Sequence, residues 1–427
     1  MALILFGMFI LLLVLGVPVG FSICSAAGVT LFAGLGDAKM MMLAQRMFVS
    51  CDSFSLIAVP FFIFAGDLLA GGKISKVLVE FCESLLGMIK GGLSVVSVLA
   101  GMFFAAISGS GAATTAAVGA TLVPELKKRG YKEDQAAALI AAAGTIGVVI
   151  PPSIPMVMYS VATGASVGAL FMGGVIPGLL IGISLMGYSL VYCKKRGYIN
   201  RESEPFSWGN VGRAFKDGIW ALLVPVIILG GIYGGIFTPT EAAAVAVAYG
   251  LCVGLFIYRD LKVTDLFRIF TNASLTTATV MIILGTANTF GRILTLQRVP
   301  TMIGDLFTSI SNSPYVILML VNILLLIVGT FMETNAAIII LAPIFCPMLE
   351  KMGVDPVHLG VIMVVNLAIG FITPPLGVNL FVACNVANTT LGKICKAIVP
   401  IIIVMVVDLL IITYIEPVVM LLPNLIY

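Results

Sequence analysis

Apolar residues run along this chain in blocks long enough to cross a bilayer, at about 20 residues per helical crossing. Read in order, crossings are predicted over 133–162, 167–193, 218–236, 240–258, 272–295, 356–388 and 397–422. Short basic clusters lie between them: Lys127, Lys128, Arg129 and Lys132; then Lys194, Lys195, Arg196 and Arg201, running on to Arg213 and Lys216; then Arg259, Lys262 and Arg268. The excess of positive charge places all three on the cytoplasmic side. Two further apolar blocks, 92–126 and 315–349, are interrupted by polar tips, SGSGAATTAA (108–117) and METNAA (332–337). The count of crossings keeps its parity only if each is a re-entrant hairpin. The first block, MALILFGMFILLLVLG, lacks a basic start and a small-residue cleavage site, so it reads as a retained span.

The chain also repeats itself. Pro151-Pro152 in IGVVIPPS returns as Pro374-Pro375 in IGFITPPL, 374 − 151 = 223 residues later. The same shift carries Pro124 onto Pro347, Gly130 onto Gly353, Ile146-Gly147 onto Ile369-Gly370, and Pro177 onto Pro400. A fainter match sets GVPVGF (16–21) against FTPTEA (237–242), with Pro18 and Pro239 separated by 221. Each half then holds five crossings and one hairpin, and an odd number of crossings forces the halves into opposite orientations. The expected fold is an all-α polytopic membrane protein of two inverted-topology repeats, 1–196 and 218–427, with both termini outside. Matched helix breaks inside a duplicated membrane segment mark the binding site of a transporter, because the freed backbone groups need a cavity or an ion.

Composition narrows the function. Hydrophobic residues make up 60% and charged residues 10%, against about 25% charged in soluble domains, so 1–427 is one membrane unit. The net charge of +3 sits in short loops and serves topology. The eight cysteines are scattered without a CxxC, and His358 is the sole histidine, so no transition-metal site is expected. Gly34-Leu35-Gly36-Asp37 matches the GxGD pattern of an intramembrane protease, yet no second Tyr-Asp pair lies mid-span and no GxSxG exists. A phosphate-binding loop, G-x-x-x-x-G-K-[ST], is missing too. No enzymatic activity is expected.

Several long runs resemble the large membrane subunit of tripartite ATP-independent periplasmic (TRAP) transporters. They are DSFSLIAVPFFIFAGDLLAGG (52–72), ISGSGAATTAAVGATLVPELKKRGY (107–131), AAAGTIGVVIPPSIPMVMYSVATGASVGALFMGGVIPGLL (141–180), METNAAIIILAPIFCPM (332–348) and GFITPPLGVNLF (370–381). The resemblance covers nearly the whole chain and is nearest the sialic-acid members, although no residue separates sialic acid from C4-dicarboxylates. It implies a bacterial inner-membrane permease that imports organic acid anions on a sodium gradient. Its expected partners are a small four-helix membrane subunit and a periplasmic substrate-binding protein, with no ATPase. It also implies an elevator-type ion-transporter fold, with a moving part over about 92–165 and 315–388 and a scaffold over about 1–72 and 218–295. A stand-alone sodium–dicarboxylate carrier is the nearest alternative.

Sodium is a hard cation and takes oxygen ligands. The first tip offers Ser108, Ser110, Thr114 and Thr115, facing Thr145, Gly147 and the carbonyls before Pro151. The second offers Thr334 and Asn335, facing Gly370 and Thr373. Two related sodium sites are therefore expected, one per half. The anion is expected at converging helix starts, near Ala112, Asn335, Ser153 and Leu376, where free amides and a partial positive charge gather. Ser153, Asn335 and Asn379 are the expected carboxylate contacts, and Arg292 is a candidate on the anion path. Glu333 borders the second sodium site or a gate, Glu241 is a helix-start acid, and Asp67 is a scaffold contact or a titrating group. Trp208 and Trp220 read as interface anchors.

Overall fold

The computed structural model describes residues 2–35, 40–70, 72–89, 91–196, 206–311 and 313–426. Arg201, and Gly36 and Asp37 of the GxGD stretch, lie outside the described residues. Among the described residues the chain is helical throughout, without a strand.

The first half contains α1 (Ala2–Val14), α2 (Val19–Leu35), α3 (Met40–Cys51), α4 (Ala58–Ala70), α5 (Gly72–Leu86), α6 (Gly92–Ser108), α7 (Gly111–Lys128), α8 (Glu133–Thr145), α9 (Ile154–Thr163) and α10 (Val167–Arg196). The second contains α11 (Trp208–Tyr233), α12 (Pro239–Cys252), α13 (Val263–Leu296), α14 (Val299–Ile310), α15 (Pro314–Gly329), α16 (Thr334–Glu350), α17 (Pro356–Gly370), α18 (Val378–Ala387), α19 (Leu391–Tyr414) and α20 (Pro417–Ile426). Among the described residues, five helices are long and apolar enough to cross a membrane by themselves, or six if the bent pair α3–α4 counts as one.

The shift of 223 applies to helices as well as to residues. It sends α7 to 334–351, where α16 spans Thr334–Glu350, and α8 to 356–368, where α17 spans Pro356–Gly370. It sends α9 to 377–386, where α18 spans Val378–Ala387, and α6 to 315–331, where α15 spans Pro314–Gly329. The two halves differ most at α3 and α4. These meet at 66°, whereas their counterpart is the single 34-residue α13.

Packing interleaves the halves. The helix after each break lies against the other half: α18 packs on α7 and α8, while α9 packs on α16 and α17. Farther out, α2 packs on α13 as α12 packs on α4. Lys127 at the end of α7 reinforces the interleaving: its Nζ donates to the carbonyl of Ala387, the last residue of α18, at 2.7 Å, and pairs with Glu133 at 2.8 Å.

One expected crossing is shorter than its apolar pattern. The block 397–422 divides at 415–416, because Pro417 cannot continue the hydrogen-bond ladder of α19 and instead opens α20. In return, α13 begins nine residues before the expected 272, so Arg268 lies within a helix. Trp208 and Trp220 both lie on α11 and are exposed, as anchors at an interface would be.

Candidate functional site

The first hairpin turns at Gly109 and Ser110. Gly109 adopts φ 62°, a left-handed conformation that ends α6 at little cost only for glycine. Ser110 caps α7, its Oγ accepting from the Ala113 amide at 3.5 Å. Behind the turn, the hydroxyls of Ser108 and Thr114 stand 2.8 Å apart, both buried.

The break after α8 presses directly on this tip. A Cβ at Gly147 would stand 2.6 Å from Thr114 Oγ1 and 2.7 Å from the Ser110 carbonyl oxygen. At Gly144 it would fall 1.8 Å from Thr115 Oγ1. A side chain at Gly147 would meet a backbone carbonyl, and one at Gly144 would meet the Thr115 side chain. The Ser108 and Thr114 hydroxyls and the Ser110 carbonyl form one knot of oxygen atoms, packed against Gly147. Thr145 is buried beside it, donating to the Ala142 carbonyl at 2.6 Å and lying 3.7 Å from Met405 Sδ.

The second tip is built differently. Glu333 caps α16, with Oε2 accepting from the Ala336 amide at 3.1 Å and Oε1 from Asn335 Nδ2 at 2.7 Å. Thr334 is buried and donates to the Leu367 carbonyl at 3.5 Å. A Cβ at Gly370 would lie 2.4 Å from the Gly329 carbonyl oxygen, so α15 and α17 meet backbone to backbone. Thr373 donates back to Ile369 at 2.8 Å. Asn379, fully buried, donates through Nδ2 to the Ala141 carbonyl at 3.3 Å. The side-chain oxygens of Asn335 and Asn379 are buried and accept no hydrogen bond.

Both tips open on one cavity of about 720 Å³. Its inner wall comes from four helix starts: 109–112 at α7, Ile154 and Pro155 at α9, Glu333 and Asn335 at α16, Val378 and Asn379 at α18. The facing wall is 18–21 at the start of α2 together with Thr276, Thr279, Val280, Ile282 and Ile283 of α13. Among the described residues no lining residue is basic, and Glu333 is the one charged side chain. Positive potential there comes from helix ends, each equivalent to about half a charge.

Of the residues singled out from sequence, Ser110, Glu333, Asn335 and Asn379 line this cavity. Ser108, Thr114 and Gly147 meet behind the first tip, while the Thr145 hydroxyl turns to the Ala142 carbonyl and Met405; in the second half Thr334 reaches the Leu367 carbonyl, Gly370 packs on Gly329, and Thr373 donates to Ile369. The expected helix start near Leu376 begins two residues later, at Val378. Ser153 caps α9 from a fully buried position, donating to the Val148 carbonyl at 2.5 Å and accepting from the Met156 amide at 3.3 Å, and is not among the lining residues. Pro151-Pro152 and Pro374-Pro375 are both cis and stand at the breaks. Arg292 is exposed and lies nine residues beyond Ile283 on α13, about 13 Å along the axis at 1.5 Å per residue. Asp67 is half-buried on α4, one turn beyond the lining residue Ile63, and is not itself among the lining residues. Glu241 completes a capping box with Thr238 and borders a second cavity of about 750 Å³.

The facing wall is what the sequence reading passed over. Thr276 and Thr279 are hydroxyls at helical spacing on α13, and GVPVGF supplies 18–21. Both signals were visible: a doubled Pro turn and an i, i+3 hydroxyl pair.

Broken apolar helices, hairpin tips and an interior cavity define a membrane transporter. The solved structures of the YdaH transporter from Alcanivorax borkumensis and of MtrF from Neisseria gonorrhoeae share the fold. The first matches with TM-score 0.64 at 15% identity over 88% of each chain, the second with 0.59 at 12% over 90% of this chain and 85% of the other. Residues 6–418 match the family described as "Tripartite ATP-independent periplasmic transporter, DctM component", and this chain belongs to that family. The isethionate TRAP transporter permease protein DctMQ of Oleidesulfovibrio alaskensis is 48% identical over 96% of this chain, which spans 65% of that longer relative. The C4-dicarboxylate TRAP large permease of Pseudomonas aeruginosa is 44% identical over 90% of this chain and 89% of its own length. The sialic acid TRAP large permease of Vibrio cholerae is 37% identical over 97% and 96%. The chain is thus a transporter permease embedded in a membrane, and the protease pattern at Gly34 has no place in it.

Proposed function

We propose that this permease imports an organic acid anion together with sodium, moving both in the paired hairpin tips while the rest of the chain stays fixed. The observation that carries this reading is the 720 Å³ cavity, where four helix starts converge without a basic side chain. Such a pocket suits an anion whose charge is balanced by helix amides and by cations bound nearby. The first sodium lies in the knot of Ser108, Ser110, Thr114, Thr145 and Gly147. The second lies by Thr334, Asn335, Gly370 and Thr373, with Glu333 beside it. Asn335 and Asn379 hold the anion, each with an amide oxygen left over for a donor or cation.

Isethionate, C4-dicarboxylates and sialic acid, named for the relatives, all fall within this anion class. The two halves are inverted repeats, and an elevator motion carries residues 92–165 and 315–388 against the scaffold. The protein sits in the bacterial inner membrane with both termini in the periplasm. A small four-helix subunit braces the scaffold, and a periplasmic binding protein delivers the substrate.

Reconstitution of the complex into proteoliposomes with the binding protein tests this. Uptake of the delivered anion should require an inward sodium gradient and be indifferent to ATP. Uptake that needs ATP and ignores sodium would overturn the mechanism.

A further inference from the structure

Asp408 is a carboxyl group that the transport site does not use. It lies inside α19 and is only 2% exposed. Its Oδ1 accepts from the Ser184 hydroxyl of α10 at 2.8 Å, while Oδ2 is buried without a hydrogen-bond partner. The repeat does not call for it. The main shift (408 − 223 = 185) sets it against Leu185, which is fully buried on α10. A leucine fills the matching place in the first half, so helix packing does not need a carboxyl there. A buried ionisable group inside a membrane helix points to function instead.

Its surroundings decide what it binds. A carboxylate with one neutral donor in an apolar interior is costly unless a cation or a proton balances it. Among the described residues no basic side chain forms an ion pair with it. Helices α8, α10, α17, α18 and α20 pack on α19, and α15 reaches it through Asn322. Of these, α8 brings Glu133 and Asp134 at its start, Glu133 being paired with Lys127. Helix α10 carries Tyr188, Tyr192, Cys193 and then the basic residues 194–196 at its end. His358 of α17 has Nε2 at 2.9 Å from the Ile412 carbonyl, α18 carries Cys384, α15 carries Tyr315, and α20 has no titratable group. Helix α19 itself adds Lys393, Cys395 and Lys396 near its start and Tyr414 at its end. A hard cation takes a full shell of oxygen ligands, and Ser184 supplies one. A proton needs only the free Oδ2.

The same helix reaches the first tip. Met405 Sδ lies 3.7 Å from the Thr145 hydroxyl, at the end of α8 just before the break. Residues three apart on a helix are neighbours, and Asp408 stands three residues beyond Met405, about 4.5 Å along the axis. We infer that Asp408 is a proton-binding site linked to the first sodium site, so that a proton on Asp408 and a sodium ion behind the first tip oppose each other. The inference rests on the proposed first sodium site and adds a proton to it. Ionised, the carboxylate favours a cation in the knot; protonated, it does not. Linkage is reciprocal: sodium entering the knot drives the Oδ2 proton off to water, and a proton returning to Oδ2 weakens sodium. Sodium affinity therefore falls as pH falls.

The test uses the purified complex and its proteoliposomes. In wild type, the sodium concentration for half-maximal uptake should rise about fivefold or more between about pH 8 and about pH 5, within the ordinary range of coupling between sites. Asp408→Asn should keep the weaker, acid value throughout, and Asp408→Glu should restore the response. A second measurement does not depend on transport. Sodium added to lightly buffered wild-type complex should release protons at the pH where its sodium curve moves, a response that Asp408→Asn should lack. If uptake is driven by sodium but its pH response survives in Asp408→Asn, the response belongs to another group such as His358 or Glu333. The inference is then refuted and the transport reading stands. A wild-type sodium curve that pH does not move has the same consequence. Uptake that ignores sodium at every pH removes the transport reading and this one with it. Should Asp408→Asn fail to accumulate, Ser184→Ala takes its place. It loses the donor that favours the charged form, so it should reach the wild-type sodium affinity only at higher pH. An unshifted curve there also refutes the inference.

Discussion

At the first hairpin tip the Ser108 and Thr114 hydroxyls and the Ser110 carbonyl gather at the break at Gly147, with the Ser110 hydroxyl on the α7 cap. At the second, the same positions, 223 residues on, hold Phe331, Glu333 and Ala337. Thr145 likewise becomes Ala368. What survives between the halves is backbone: a glycine at 147 and 370, a Pro-Pro pair, and a helix that starts at the tip. The oxygen set behind the first tip is neutral and enclosed, whereas the second has a carboxylate, shared with the Ala336 amide and Asn335. Under the proposed function, two cation sites built this way would hold sodium for different reasons, one by number of ligands and the other by charge.

The sharpest way to break the comparison is at the shared backbone. An added methyl at Gly370 meets the Gly329 carbonyl, which has nowhere to go, while at Gly147 it meets both a Thr114 hydroxyl that can turn and a Ser110 carbonyl that cannot. Overpacking of this kind costs about 1–3 kcal/mol, roughly ten- to a hundredfold in an equilibrium constant. Gly370→Ala should therefore abolish uptake, and Gly147→Ala should cut it severely. Equal and near-normal uptake from both variants would show that backbone contact at the breaks is dispensable.

Charge comes next. Glu333→Gln keeps the shape of the cap and removes the negative charge, and should raise the sodium concentration for half-maximal uptake by about tenfold, in line with charged interactions of roughly 1.5–3 kcal/mol. An unchanged sodium curve would remove Glu333 from the second site. Hydroxyl deletions should act more gently. Ser108→Ala, Ser110→Ala and Thr334→Ala each lose a neutral ligand, so a two- to tenfold rise is expected, from about 0.5–1.5 kcal/mol per hydrogen bond. If the Thr334 variant matches wild type while the two serine variants do not, only the first half binds sodium through side chains. Arg292→Gln should do least, leaving the apparent affinity for the anion unaltered. A large loss would place Arg292 on the anion path despite its distance from the cavity.

Much of this architecture could be read from residues in order. Pro151-Pro152 and Pro374-Pro375 mark breaks because proline removes a donor and blocks the preceding turn. The polar tips announce hairpins, since an apolar block with Ser, Gly and Thr at its centre cannot be a plain span. The bend between α3 and α4 is harder to read, because Asp52 and Ser53 are weak punctuation inside an apolar run. Which helix faces which was illegible for another reason: helices apolar on every side show no stripe to orient them. Hence nothing in the order of residues marks Thr276 and Thr279 as a wall, or shows that Arg292, which looks functional as an intramembrane charge, is exposed and outside the cavity lining. Exchange of α9 and α18 between halves is likewise a property of three-dimensional packing that no local pattern encodes.

That exchange bears on how the chain is made. Chains emerge from the ribosome N-terminal end first, so α9 enters the bilayer before α16 and α17 have been synthesised. It must wait with its polar start unburied, beside a hairpin whose own partner, α18, is also still to come. Neither half therefore closes its own break, and the packing around both is complete only once the last of these helices has been made.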